Sequence, residues 1–281
     1  MFGAFFVKVS RLSSRQFLDK LEIKGEKKMA IGRTNIIAAN LKLTSGLGRK
    51  DVRGYLGQLG THPALQSSST RVRVYASFGV LQGLKNDAAG RVALGVKNFH
   101  LDNTHPSVED LRQMKIWHAL IGRSGTEHGV TDAAVAQKLK AALAMDIFAT
   151  VCVGAKTHDD LAEQVREGII PALNTQSRKL SGKGPDHRFD IAYLPGRQPF
   201  QMTDIEAAFA VIKEILWEGG HQSIVDHGDF LFGLGGSVKP ENAPELLRQP
   251  FIHGLLVRTA SRSANNLIEM IDLAERIGSS A

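Results

Sequence analysis

From Thr34 onward the chain alternates short apolar runs with amphipathic stretches. The apolar runs predict strands at Asn35–Asn40, Arg71–Ala76, Val92–Phe99, Ile116–Gly122, Ile147–Gly154, Asp190–Pro195, Phe230–Gly233 and Gly254–Arg258. Between them, helical spacing predicts helices over Asp132–Met145, Asp159–Leu173, Asp204–Glu218 and Ala264–Ile277. Val135, Leu139, Ala142 and Leu143 recur so as to bury one face of the first. Thr131-Asp132 and Thr203-Asp204 offer side-chain oxygens as N-caps. Gly-rich or polar loops are expected at Ser45–Gly48, Gln66–Thr70, Ser177–Asp186 and Gly219–Gly228, and the basic stretch Asn174–Arg188 reads as a surface insert. Eight strands each followed by a helix, with no break in composition, fit an α/β protein of the (β/α)8 barrel class. A doubly wound sheet is the alternative that the pattern leaves open.

Composition changes this picture little. The chain has 281 residues, 43% of them hydrophobic, enough for one large barrel with a full core. No stretch approaches the roughly 20 apolar residues that a membrane span needs. A single cysteine, Cys152, excludes an internal disulfide and a cysteine-cluster zinc site; it lies in the apolar run Ala149–Val153 and reads as a buried structural thiol.

Charge does change the picture. The net charge is +7, but residues 1–28 hold seven Lys and Arg against three Asp and Glu, a net +4. The body is nearly balanced and shows no basic face with interleaved aromatics, so nothing points clearly to nucleic acid. The first 18 residues carry Lys8, Arg11 and Arg15, several serines and no acid, while Phe2, Phe5, Phe6, Val9, Leu12 and Phe17 fit one helical face. That is the composition of a mitochondrial transit peptide. A basic tail, a retained arm, or a start upstream of the true one at Met29 are the alternatives, and with them a cytoplasmic location. The expected organisation is a basic N-terminal extension over residues 1–29 and a barrel over 30–281.

Candidate chemistry sits where the predicted strands end. Asp190-Ile191-Ala192-Tyr193-Leu194-Pro195 reads as a buried strand running into a Pro-terminated loop. Asn40-Leu41-Lys42 closes the first strand, and Gly122-Arg123-Ser124-Gly125-Thr126 closes the fourth. Gly235-Gly236-Ser237 opens a glycine turn before a helix, and its N–H groups suit an anion. The order and spacing of these pieces, with Ala133–Gly154, Gly235–Pro250 and Ile252–Ser261, resemble the triosephosphate isomerase family over about residues 30–277.

The resemblance implies a TIM barrel, no cofactor, and an Asn-x-Lys pair that contacts substrate, kept here as Asn40 and Lys42. It also marks departures. The family works with a Glu base, a neutral His electrophile and a closing lid that excludes water. The family's strand ending Ala-Tyr-Glu-Pro carries the base, and Leu194 stands in the Glu's place. The family's Gly-His-Ser-Glu-Arg supplies the His, and Arg123 stands in its place; Glu127 and His128 nearby read as loop residues. The lid's place is taken by Gly196–Met202, shorter than the family's lid motif and sharing nothing diagnostic with it. Gly235, Gly236 and Ser237 keep one phosphate loop, whereas Arg258-Thr259 replaces the second, a Gly-Gly pair. Arg123, Arg197 and Arg258 are expected to pair with local carbonyls and carboxylates. The family's dimer loop bears a Thr-Gly-Glu turn that Phe99–Pro106 lacks, which puts the usual dimer in doubt; His100 and His105 there have no persuasive metal spacing.

The leading expectation is therefore a barrel without its reaction: a structural or binding subunit with protein partners, in a mitochondrial assembly. The alternative is an enzyme or binder acting on a phosphorylated sugar or similar anion, through Asn40, Lys42 and Ser237.

Overall fold

The computed structural model describes residues 35–41, 49–66, 70–82, 92–102, 106–122, 130–175, 189–195, 201–233 and 238–279. Eight parallel strands close into a barrel in sequence order: β1 (Asn35–Asn40), β2 (Thr70–Ala76), β3 (Val92–Lys97), β4 (His118–Gly122), β5 (Phe148–Val153), β6 (Phe189–Tyr193), β7 (Phe230–Gly233) and β8 (Gly254–Val257). Ile36–Ala39 pair with Gly254–Val257 and shut the ring. The doubly wound alternative is thereby excluded, because an open sheet has two edges.

Around the barrel lie α1 (Arg49–Gly60), α2 (Phe78–Leu81), α3 (Val108–Gln113), α4 (Asp132–Ala144), α5 (His158–Gly168), α6 (Ile170–Asn174), α7 (Met202–Glu218), α8 (Gln222–His227), α9 (Ala243–Leu247) and α10 (Ala264–Ser279). No helix among the described residues is long and apolar enough to cross a membrane. Nor do three or more His, Cys, Asp or Glu side chains among them gather as a metal site would require. The expected N-terminal extension lies outside the described residues, as does most of the basic stretch Asn174–Arg188.

The strands are mostly apolar because both of their faces are covered. One set of alternate residues, including Ile37, Ala39, Val72, Val74, Val96, Ile121, Val151, Ile191, Phe230 and Phe232, faces the helices in one large cluster. The other set fills the lumen: Ile36, Ala38, Tyr75, Leu120, Cys152, Ala192, Leu231 and Leu256. Cys152 is a buried thiol within that lumen, as its run predicts.

Three expectations need correction. The helix expected over Asp159–Leu173 is two helices, α5 and α6, broken at Ile169 (φ −119, ψ −55) with a proline at the start of the second. The helix expected from Asp204 begins at Met202; its N-cap is Gln201, whose N–H donates to Asp204 Oδ2 at 3.3 Å, so Thr203 lies inside the helix. The loop expected over Gly219–Gly228 contains α8, which starts after a left-handed Gly220 (φ 83). By contrast, Thr131 caps α4 as expected, accepting from Ala134 N–H at 3.2 Å.

Candidate functional site

In a barrel of this class the chemistry belongs at the C-terminal ends of the strands. Asn40 ends β1 and is 4% exposed. Lys97 ends β3, on the same inward row as Gly95, whose missing Cβ would meet the Tyr75 ring inside the lumen. Gly122 ends β4 at φ 90, where a Cβ would overlap the Cys152 carbonyl; only glycine fits that turn. Arg258 follows β8, half-buried, and its carbonyl accepts from Ser261 Oγ at 2.7 Å. Lys97 and Arg258 bring basic side chains to these ends.

Leu194 follows β6. Its N–H donates to the Val153 carbonyl at 2.8 Å, continuing the β5–β6 ladder by one residue. Its side chain is half-buried and packs on the lumen cluster with Cys152, Ala192, Leu231 and Leu256. Beneath it, Gly154 is held from outside by Gln164 of α5: Gly154 N–H donates to Oε1 at 3.0 Å, and Nε2 donates to the Gly154 carbonyl at 3.1 Å. A Cβ on Gly154 would overlap the Leu194 carbonyl, so the two strand ends close tightly there. The end of β6 thus presents an apolar floor, not a proton acceptor.

The remaining sequence candidates, Lys42, Arg123, Gly235, Gly236 and Ser237, lie outside the described residues, as do Arg197, Glu127, His128 and His105. The structure therefore places Asn40, Leu194 and Arg258 at one end of the barrel. It adds Lys97, which sequence reasoning missed. The signal was available: in Gly95-Val96-Lys97 the lysine shares the period-2 face of a lumen glycine.

Deeper in the lumen lies a charged layer that sequence reasoning also missed. Arg73 of β2, 3% exposed, pairs with Asp190 Oδ2 of β6, 1% exposed. Its guanidinium also reaches Thr150 Oγ1 at 3.4 Å and lies over the Phe148 ring, 4.3 Å from the centroid. Tyr75 Oη and Thr150 Oγ1 are 2.7 Å apart. Burial works against the charge on Arg73, and Asp190 beside it more than offsets this, holding the guanidinium above its usual range. Burial pushes the Tyr75 phenol up to about 12. Tyr75 therefore stays neutral, a filler of the lumen and not an acid–base group.

His118, at the start of β4, packs against Phe148 with ring centroids 5.3 Å apart. Burial first, and then the Arg73 charge, push its imidazole down to about 4. Asp190 Oδ1 and His118 Nδ1 are buried without hydrogen-bond partners. His100, considered for a metal, instead makes a backbone bridge to Ser107, its N–H donating to the Pro106 carbonyl at 2.7 Å.

Comparison with known proteins agrees with this architecture. The family model "Triosephosphate isomerase" matches residues 35–274, nearly the whole barrel. A triosephosphate isomerase of Roseiflexus sp. (strain RS-1) is 30% identical over 257 residues, which is 85% of this chain and 97% of that protein. One from Rhodopirellula baltica is 28% identical over 262 residues, 87% of this chain and 99% of that protein. One from Brucella abortus biovar 1 is 32% identical over 203 residues, 64% of this chain and 74% of that protein. With a closed eight-stranded parallel barrel, a family match across it and relatives matched over nearly their full length, the chain belongs to the triosephosphate isomerase family.

Proposed function

We propose that this chain is a triosephosphate isomerase homologue that no longer isomerises triose phosphates and serves as a structural or binding subunit of a mitochondrial protein assembly. The observation that carries the reading is Leu194. The sequence resemblance puts it at the position of the family's base, and its side chain packs on the apolar lumen cluster at the end of β6. A leucine accepts no proton, and loss of a positioned base costs on the order of 10²–10⁴ in rate. Arg123, at the position of the family's His, is permanently charged and exchanges no proton near neutral pH. Without the neutral donor, the developing enediolate oxygen also loses its stabilisation.

The fold can persist when the reaction does not, because barrel stability and strand-end chemistry reside in different residues. The transit-like composition of residues 1–28 supports the mitochondrial setting, and the absence of the family's dimer turn from the sequence of Phe99–Pro106 supports different partners. The test is a coupled triosephosphate isomerase assay on the purified chain, beside a Leu194→Glu, Arg123→His double variant. No turnover above background is expected for the unmodified chain, and turnover near that of an ordinary isomerase refutes the reading. Migration in a native gel of a mitochondrial extract tests the assembly: only free protein there refutes the subunit role.

A second reading is favoured by Asn40, Lys97 and Arg258 at the strand ends. In it the chain still binds a phosphorylated sugar or similar anion, with Lys42 and the Gly235–Ser237 turn as further contacts. Saturable binding of glycerol 3-phosphate that is lost in Lys42→Ala supports it; no binding at millimolar ligand removes it.

A further inference from the structure

The barrel shuts where β8 meets β7 on one side and β1 on the other, and one residue ties all three at the N-terminal end of that seam. The His253 N–H donates to the Phe230 carbonyl of β7 at 2.8 Å, and the His253 carbonyl accepts from the Ile36 N–H of β1 at 3.1 Å. Strand pairing between β7 and β8 begins at Leu231 and Gly254. The Phe230 N–H lies just before that first pair, and the acceptor it finds is not a carbonyl. It donates to Nδ1 of the His253 imidazole at 3.1 Å.

That bond fixes the state of the ring. A neutral imidazole has one N–H and one acceptor nitrogen, so an accepting Nδ1 puts the proton on Nε2. A second proton goes to Nδ1, and the ring then has two donors and no acceptor. The Phe230 N–H and the new Nδ1–H face each other, and one must turn away. A partner for Nδ1–H is at hand: Asp229 Oδ1 lies 3.9 Å from the same nitrogen. The other carboxylate oxygen, Oδ2, accepts from Arg71 Nη1 of β2 at 3.4 Å. The His253 and Asp229 side chains are each 27% exposed, so solvent protons reach them. Two further described cations bear on the ring. Lys213 of α7 lies over the Phe230 ring, 4.9 Å from its centroid, and Arg73, paired with Asp190, feels the charge of Asp229 from deeper in the lumen. The cations oppose another positive charge and Asp229 favours it.

We propose that His253 is a pH-operated latch on the closing seam of the barrel: neutral, it holds the start of β7 through Nδ1; protonated from solvent, it releases the Phe230 N–H and turns Nδ1–H to the Asp229 carboxylate. The opening is local, because the backbone bonds of His253 to Phe230 and Ile36 do not involve the ring. The latch lies at the other end of the barrel from the strand-end site of the proposed function, so either can fail alone.

The test is nuclear magnetic resonance on the full chain between about pH 8 and 5, where imidazoles ordinarily change charge. At the alkaline end, the nitrogen resonance of His253 Nδ1, identified by its absence in His253→Asn, should be that of an unprotonated ring nitrogen. As that resonance titrates, the Phe230 amide should lose about two- to tenfold of its exchange protection, corrected for the intrinsic rate, as loss of one hydrogen bond implies. Phe232, two residues further along β7, should not change. His253→Asn offers an oxygen that accepts at every pH and should keep Phe230 protected throughout. Asp229→Asn removes the carboxylate that receives the turned ring and should move the loss to lower pH. A proton on Nδ1 at the alkaline end, Phe230 protection that does not follow the His253 resonance, or an equal loss at Phe232 overturns the proposal from the unmodified chain alone. The same loss in His253→Asn, or an unmoved midpoint in Asp229→Asn, overturns it from the variants.

Discussion

The Arg73–Asp190 pair gives the sharpest test of what holds this barrel together. The two side chains are 4% and 0% exposed, so neither charge is hydrated when its partner is removed. Asp190→Leu leaves a buried guanidinium in the lumen with no adjacent carboxylate, beside Thr150 Oγ1 at 3.4 Å, the Tyr75 hydroxyl and the face of Phe148. Arg73→Met leaves a carboxylate whose Oδ1 already lacks a partner. Breaking a buried pair on one side costs about 3–5 kcal/mol, a large part of the roughly 5–15 kcal/mol that holds a protein folded. Replacing both partners by apolar residues of similar volume is different: the desolvation of both ions is removed with their attraction, and the result ranges from neutral to about 4 kcal/mol more stable. The Tyr75–Thr150 contact at 2.7 Å survives in the double variant, so no new polar atom is orphaned. Urea unfolding followed by circular dichroism measures all four proteins of the cycle. Each single variant should lose about 3–5 kcal/mol or fail to fold, while Arg73→Met, Asp190→Leu should fold with stability at or above that of the unmodified chain. Singles that lose under about 1 kcal/mol, or a double variant as unstable as the two losses added, refute the reasoning.

The remaining predictions concern the same interior. His118 titrates at about 4 when folded, against an ordinary 6.5, so the unfolded chain binds its proton more tightly. Its contribution is therefore complete above about pH 6.5 and lost as the pH falls toward 4: about 2 kcal/mol between pH 7 and 5, absent in His118→Phe when both are unfolded in urea across that range. Gly95→Ala places a methyl 2.5 Å from the Tyr75 ring and should cost about 1–3 kcal/mol, recovered in large part by Tyr75→Leu, as thermal melts of the two variants will show. Gln164→Ala removes both clamps on Gly154 and should cost about 1–3 kcal/mol, with amide exchange quickening at Gly154 and Leu194 before it does at the centre of β5.

The barrel was legible because its strands are bounded on both sides. Short apolar runs end in polar or glycine turns, and the predicted and observed strands differ only at their ends. The errors are local and have physical signals. Pro171, which breaks the helix expected over Asp159–Leu173, was visible in the sequence; its missing N–H and ring forbid a helix interior. Gln201 displaced Thr203 as the cap because Asp204 can reach back to the Gln201 N–H, a reciprocal arrangement that residue preference alone does not rank first. The charged layer was harder to find. Arg71, Arg73 and Tyr75 alternate on one face of β2, but alternation says only that they share a face. That the face is a closed lumen, and that Asp190 waits across it on β6, depends on pairings between segments more than a hundred residues apart.

These placements bear on how a barrel of this family divides packing from strand-end chemistry. Function and stability are divided along each strand, with chemistry at the C-terminal end and packing below it. The inward row of β6 runs Asp190, Ala192, Leu194: the carboxylate sits deep, paired with Arg73, and the strand end is apolar. A carboxylate at the strand end needs solvent or a donor to stay charged, whereas one in the lumen needs a fixed cation. Here the second condition is met by Arg73. At the strand end, Leu194 instead extends the lumen cluster, adding buried apolar area at about 25 cal/mol per Å². Introducing Glu at 194 would therefore act on both divisions at once, giving up that contact and setting a carboxylate on an apolar floor, where desolvation raises its pKa. Stability lost in Leu194→Glu, measured beside its activity, separates the two effects, and a folded but inactive variant turns the test to Arg123 and the stretch Gly196–Met202.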